Sequence, residues 1–188
     1  MSCLIYYEPN GKITGFVNGS DQFLQSAAEE YGGLTLFSDV TPSEDYYVKD
    51  GVLTNRNEKP SHAHEFNFDS EQWELNIDLA RQIKWSDLKA NRDAQEFGVF
   101  DWGGYTFQCD EVSQRRIQGA VQLAAIDSTM TLDWTLADNS VQTFTAAEYV
   151  QIGQALANHV SQCHERGRIL RQQIESATTE AELEVIVW

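Results

Sequence analysis

Basic side chains are scarce. Thirteen Lys and Arg stand against 29 Asp and Glu, which leaves a formal net charge of −16. The deficit is uneven: residues 1–80 hold 14 acidic and 4 basic groups, and residues 81–188 hold 15 and 9. Such a field repels phosphate backbones, so no nucleic-acid partner is expected. Apolar runs are short as well. None approaches the roughly 18 residues that a bilayer-spanning helix needs, so no membrane insertion is expected. The opening residues, Met1 to Tyr7, lack a basic leader and an apolar run of signal-peptide type, so none is predicted. The three cysteines, Cys3, Cys109 and Cys163, are too far apart and too few for a disulfide framework. They read as free thiols of a reducing cytoplasm. A glycine-rich phosphate loop, a GxSxG elbow, a CxxC pair and an HExxH helix are all missing, which removes each motif-based reason to expect an enzyme or a cofactor.

What is present suffices for a folded core. Hydrophobic residues make up 41%, with five Trp, seven Tyr and nine Phe, too many for wholesale disorder. The length allows one domain or two small ones. Residues 1–60 read as a small β-rich module. Cys3–Tyr7 and Lys12–Val17 flank Asn10-Gly11, and Tyr46–Val48 and Val52–Thr54 flank Asp50-Gly51, both hairpin signals. Between them Ser20 can cap a helix through Tyr31, stopped by Gly32 and Gly33, with a strand returning at Leu34–Phe37. Residues 61–78 read as a linker carrying a third hairpin, His64–Phe68 with Trp73–Asn76.

From residue 79 to residue 188 the pattern is mainly helical, interrupted by two hairpins. Leu79, Ile83, Trp85 and Leu88 place a helix that ends near Gly98. A compact hairpin turns at Gly103-Gly104, and a helix starts at Asp110. A second hairpin turns between Leu136 and Val141. Thr145 and Glu148 then form a capping box that opens the longest periodic segment. Tyr149, Ile152, Leu156, His159 or Val160, Cys163, Gly167, Leu170 and Ile174 step by three or four residues. A second box, Thr179 to Glu182, starts a last short helix whose apolar end, through Trp188, is expected to dock. The expected fold is therefore α+β, a β-rich N-terminal module followed by a helical domain built around one long helix.

Three constellations bear on chemistry. His62 and His64 would share a face of a strand, yet two ligands beside a proline linker fix no metal site. His159 and Cys163 are i, i+4 neighbours that can chelate a soft ion, with His164 close by. Against that, His159 lies on the apolar seam and His164 off it, which suits a packed histidine bonded to a neighbouring backbone or side chain. Carboxylates such as Asp127, Asp133 and Asp138, or Glu180, Glu182 and Glu184, fall at caps, turns and exposed helix faces, where acid/base catalysis has no cleft to work in. An enzyme, such as a metal-dependent hydrolase of surface glycans, rests on this scatter alone. No catalytic, cofactor or metal residue is assigned.

Four segments carry a family resemblance. They are Trp85 to Lys89 with Arg92, after a hairpin ending at Trp73; Phe107 to Ile117; Trp134 to Asn139; and Thr145 to Glu148 together with Thr178 to Trp188. In this order, over about residues 80–188, they resemble the uncharacterised C-terminal domain of bacteriophage tail and tail-fibre accessory proteins. Gln108 departs from the aspartate usual there. Tyr46 to Leu53 resembles the N-terminal part of tail-fibre assembly proteins. The resemblance implies a non-enzymatic tail protein, structural or adaptor, made in the host cytoplasm and carried in the virion tail. Its partners would be other tail or tail-fibre proteins, and a symmetric homo-oligomer stays open by analogy. The alternative is an assembly chaperone that leaves before the virion matures. The implied structural anchors are Trp85, Trp134, Thr145, Glu148, Leu156, Leu170 and Trp188, with Asp110 capping its helix and Arg115 and Arg116 meeting carboxylates.

Overall fold

The computed structural model describes residues 2–188. It is mixed α/β, as the pattern predicts, and forms two compact units, Met1–Asn76 and Ile77–Trp188.

In the first unit β1 (Cys3–Tyr7) lies between β2 (Ile13–Asn18) and β3 (Leu34–Ser38), antiparallel to both. Successive strand residues point to opposite faces, and β1 is covered on both. Cys3 and Ile5 pack with Val48, Leu36 and Leu53 beneath a hairpin of β4 (Tyr46–Lys49) and β5 (Val52–Asn55). On the other face the Tyr6 ring packs at a tilt against Tyr31 of α1 (Asp21–Tyr31), centroids 4.4 Å apart, and Leu4 and Leu24 are fully buried. Ser20 is the N-cap of α1 by backbone shape alone, its hydroxyl making no capping bond, and Gly32 closes the helix in the left-handed region.

The β1–β2 turn depends on Gly11. Its φ is +85°, and an added Cβ would overlap the Val48 carbonyl, while Val48 N donates to Gly11 O at 2.9 Å. Asp50 and Gly51 both take positive φ at the β4–β5 turn, as a two-residue hairpin requires. β6 (His64–Asn67) and β7 (Gln72–Leu75) form the third hairpin. It belongs with this unit instead of standing in a separate linker, because the Phe66 ring packs at a tilt against Tyr47, centroids 5.1 Å apart, and Trp73 Nε1 donates to Asn57 O at 2.8 Å.

The second unit is organised by α4 (Ala146–Ser176), 31 residues and so about 46 Å long at 1.5 Å per residue. Its capping box is present: Thr145 Oγ1 accepts from Glu148 N, and Glu148 Oε2 accepts from Thr145 N at 2.8 Å. The N-terminal half packs on α3 (Glu111–Ile126) and the C-terminal half on α2 (Ile77–Glu96). Hairpin β8–β9 (Val99–Trp102, Tyr105–Gln108) and hairpin β10–β11 (Thr131–Thr135, Val141–Thr145) close the first of these cores. There Phe107 and Phe144, both essentially inaccessible, lie 5.6 Å apart. The short α5 (Glu180–Glu184) carries its own capping box at Thr179 and Glu182 and rests on α2.

The expected anchors divide. Leu156 and Leu170 are buried. Trp85, Trp134 and Trp188 are only half-buried. Trp85 is capped by the Arg171 guanidinium at 5.2 Å, and Trp188 by that of Arg166 at 5.5 Å. Trp134 flanks the aromatic core, 6.3 Å from Phe107, and its shielded Nε1 has no hydrogen-bond partner. These indoles cover the edge of the core, because each keeps one face for a cation or a neighbouring ring. The chain end docks through Ile186, while Val185 and Val187 stay exposed.

α3 and α4 approach closely at Gly153, where an added Cβ would sit 2.6 Å from Val121 Cγ2. Alanine for glycine in a helix ordinarily gains about 1 kcal/mol. A β-branched neighbour is stiff, so here overpacking at about 1–3 kcal/mol wins. Gly153→Ala is expected to lower stability in urea denaturation by about 1 kcal/mol net, and the same change made in Val121→Ala to be neutral or stabilising. Stabilisation by Gly153→Ala in the native background would refute the close approach.

Candidate functional site

Histidine and cysteine chemistry converges where α2 ends against the middle of α4. His159 Nε2 lies 3.0 Å from the Gln95 carbonyl oxygen, one of the last carbonyls of α2, which have no partner within the helix. Five residues on, His164 Nε2 lies 3.1 Å from Glu96 Oε2. Glu96 is the buried acid of this unit, 8% exposed. A carboxylate at a helix C-terminus faces the negative end of the dipole, and the imidazole N–H offsets that. Arg81 acts at the opposite end of the pair: its Nε and Nη2 donate to the Ala177 carbonyl at 3.1 and 2.8 Å. Thus α4 caps α2 through His159, and α2 caps α4 through Arg81.

Cys109 and Cys163 are buried free thiols near Glu96. Burial, with a smaller push from Cys163 and Glu96, raises the Cys109 thiol to about 11, although Gln114 donates to it. Burial raises Cys163 too, followed by the Glu96 charge, with Arg92 opposing. A nucleophile or soft-metal ligand needs the thiolate, and this setting favours the protonated form. Among the described residues no three His, Cys, Asp or Glu side chains are arranged to hold a metal ion.

The remaining candidates are placed apart from this cluster. His64 opens β6 and its Nδ1 meets Ser61 Oγ at 2.8 Å, whereas His62 lies in the preceding turn. The two therefore do not share a strand face. Several of the carboxylates serve as backbone caps. Asp110 accepts from Val112 N and Ser113 N at 2.9 and 3.1 Å. Asp127 and Asp138 accept from the amides and hydroxyls of Thr129 and Ser140, and Asp133 accepts from Thr143 Oγ1 across its hairpin. Arg115 donates to the Glu111 backbone carbonyl at 3.1 Å instead of to a carboxylate. Glu111 lies one turn before it on α3, which puts that carbonyl within the guanidinium's reach. No carboxylate pairs with Arg116 among the described residues.

The second feature of this unit is a groove of about 680 Å³ between α3 and α4, lined by Gln118, Val121, Gln122, Val150, Gln154 and Ala157 among others. No ionisable side chain lines it. Ile117–Ile126 and Tyr149–Cys163 contain no Asp, Glu, Lys or Arg at all. The groove offers apolar contact, amide hydrogen bonds and the Ser161 hydroxyl, with no acid or base among the residues that line it.

Residues 79–187 match the model of a domain of unknown function, DUF4376. The chain belongs to this family. No curated protein and no solved structure matches it. Every feature of the second unit described above lies within the DUF4376 domain or within two residues of it.

Some of the remaining residues carry local signals of their own. Cys109 continues the inward alternation of Phe107, and Glu96 is an acid at a helix end where cations are favoured. The groove shows as two charge-free runs in a chain with 22% charged residues.

Two outcomes follow from these proton affinities. With Cys109 near 11, only about one thiolate in a thousand exists at pH 8. A thiol reagent such as dithiobisnitrobenzoate should therefore label the native chain far more slowly than the urea-unfolded one, which releases all three cysteines; equal rates would contradict the burial. Hydrogen bonds from Thr145, backbone first, hold Glu148 below its ordinary value, and those from Ser113 do the same for Asp110. A carboxyl that binds its proton less tightly folded than unfolded adds stability above its unfolded value, and that stability is lost as pH falls through the folded one. Urea midpoints should decline below about pH 5, and Glu148→Gln should flatten that decline.

Proposed function

We propose that this chain is a non-enzymatic component of a bacteriophage tail, structural or adaptor, associated with the tail fibre or receptor-binding apparatus. The observation that carries the reading is the use of the motif residues. Asp110 caps α3, and Thr145 and Glu148 cap α4. Trp85 and Trp134 cover packed surfaces, and Phe107 and Ile117 fill the core. The segments that resemble the tail-accessory domain therefore specify a scaffold. Histidines tied to a carbonyl and to a carboxylate, and thiols held protonated, support the same reading.

An adaptor needs a contact surface, and the α3–α4 groove supplies one that carries no charge in a chain of −16. Contact there avoids both the desolvation of ions and the salt sensitivity of exposed charge pairs.

The test is proteomic. Purified virions of the phage that encodes the chain should contain it in fixed ratio to the fibre. Its absence from virions that carry fibre, together with its co-purification with nascent fibre from infected cells, would overturn the virion reading in favour of an assembly chaperone.

A further inference from the structure

We propose that the first unit binds an extended peptide bearing a carboxylate, added as a strand along the free edge of β2. The geometry is independent of which protein supplies the peptide. β2 is an outer strand, paired only with β1. An outer strand presents a row of unpaired N–H and C=O groups, which natural edges blunt with charge, proline or a bulge. Within β2, Ile13 to Asn18, there is no charge and no proline; its one irregularity is the register shift that leaves Thr14 between the paired Ile13 and Gly15, so the regular edge runs from Gly15 to Asn18. Four consecutive residues, Ile13 to Phe16, instead line a groove of about 600 Å³ whose other wall includes Tyr46, Arg56 and Phe68.

The charges in this groove are unusual for the unit. Residues 1–76 hold 13 Asp and Glu and four Lys and Arg, net −9. Lys49 is paired with Glu71, and Lys59 lies over the Trp73 ring at 5.8 Å. The other two, Lys12 and Arg56, both line the groove, and among the described residues neither side chain has a carboxylate partner. The Arg56 guanidinium is held over Phe66, Phe68 and Trp73 at 5.3, 5.7 and 5.5 Å, and its Nε is shielded from solvent without a hydrogen-bond partner. The aromatic rings fix the guanidinium without neutralising it.

A planar, pre-positioned guanidinium beside a lysine suits a carboxylate. Phe16 is 44% exposed and, with Tyr46 and Phe68, gives alternate side chains of an added strand an apolar surface, the division of labour known for strand addition. Glu44 lines the same groove. It and the surrounding negative field reject polyanions, so the ligand is a peptide with one carboxylate at this point and not a phosphate chain.

The test uses the full chain and a displayed library of random octapeptides. Recovered peptides should share an Asp or Glu at one position among β-branched or aromatic residues. Binding of the best peptide, read by fluorescence anisotropy, should fall at least about tenfold with Lys12→Glu and with Arg56→Gln, the scale of a lost charge-assisted bond. Lys12 is exposed, so Lys12→Glu keeps the measurement meaningful if Arg56→Gln disturbs the aromatic stack. N-methylation of alternate peptide amides should weaken binding as much. Recovered peptides without a carboxylate, indifference to Lys12→Glu, or indifference to N-methylation would each overturn the proposal. So would displacement of the peptide by an acidic sugar such as N-acetylneuraminate at equal concentration, which would make the groove a saccharide site.

Discussion

The second unit depends on one constraint: α4 is a single unbroken helix that must satisfy two different neighbours. Its buried stripe runs Ala146, Tyr149, Ile152 and Leu156 against the first core, then Cys163, Gly167, Leu170 and Ile174 along α2. Between Leu156 and Cys163 no residue is fully buried. His159 falls in that gap, where one neighbour gives way to the other. An apolar residue at this point would leave the Gln95 carbonyl with only the long bond from Gly98 N, 3.4 Å. The imidazole adds a second, shorter contact to that carbonyl at 3.0 Å, and Phe100 lies 6.1 Å from its ring. Gly167 lies against Arg92 further along, where an added Cβ would meet Arg92 Cδ at 3.4 Å, an ordinary contact distance. The helix is long because both contacts are made by one element, and its sequence changes character where the contact changes.

Legibility in the sequence follows the range of the interaction. Capping boxes at Thr145 and Thr179 and turns at Gly11, Gly51 and Gly103 were readable because each is decided within about five residues. The stepping of α4 was readable for the same reason. What was not readable depends on partners distant in the chain. Arg81 reaches a carbonyl 96 residues away and His159 one 64 residues away. Half-burial of Trp85 and Trp188 involves Arg171 and Arg166, whose positions only the tertiary fold supplies. The polar stretch ending at Pro60 resembles a linker, which sets the third hairpin apart from the first unit in the sequence pattern. Its attachment comes from Phe66 and Trp73, and their partners Tyr47 and Asn57 lie 19 and 16 residues earlier.

The same difference of range governs the candidate sites. Histidine and cysteine at i, i+4 meet the local condition for chelation, but chelation also needs ionised or unengaged donors. His159 is engaged by a backbone carbonyl and Cys163 is held protonated by burial and by the Glu96 charge. Acidic groups show the converse. Asp110, Asp127, Asp138, Glu148 and Glu182 are all held ionised by donors within a few residues. A carboxylate so stabilised is a poor proton donor near neutral pH and a weak base. Its contribution is to hold turns and helix starts in place, which suits a scaffold.

An acidic surface also decides where recognition has room to occur. Most of a chain at −16 meets any acidic partner with repulsion and any basic partner without discrimination, since long-range attraction raises encounter rates more than it selects. Selectivity has to come from places where the local chemistry departs from the average. Each unit has one. In the second it is the groove without ionisable groups, where shape and amide bonding decide what fits. In the first it is the edge of β2, where two unpaired cations make a carboxylate welcome at a single point and the surrounding acids exclude it elsewhere. That contrast gives the acidic composition a positional role: background repulsion sharpens a local attraction, because the difference between the right and wrong registers of a bound strand includes the cost of moving its carboxylate away from Arg56 and toward the acids around it.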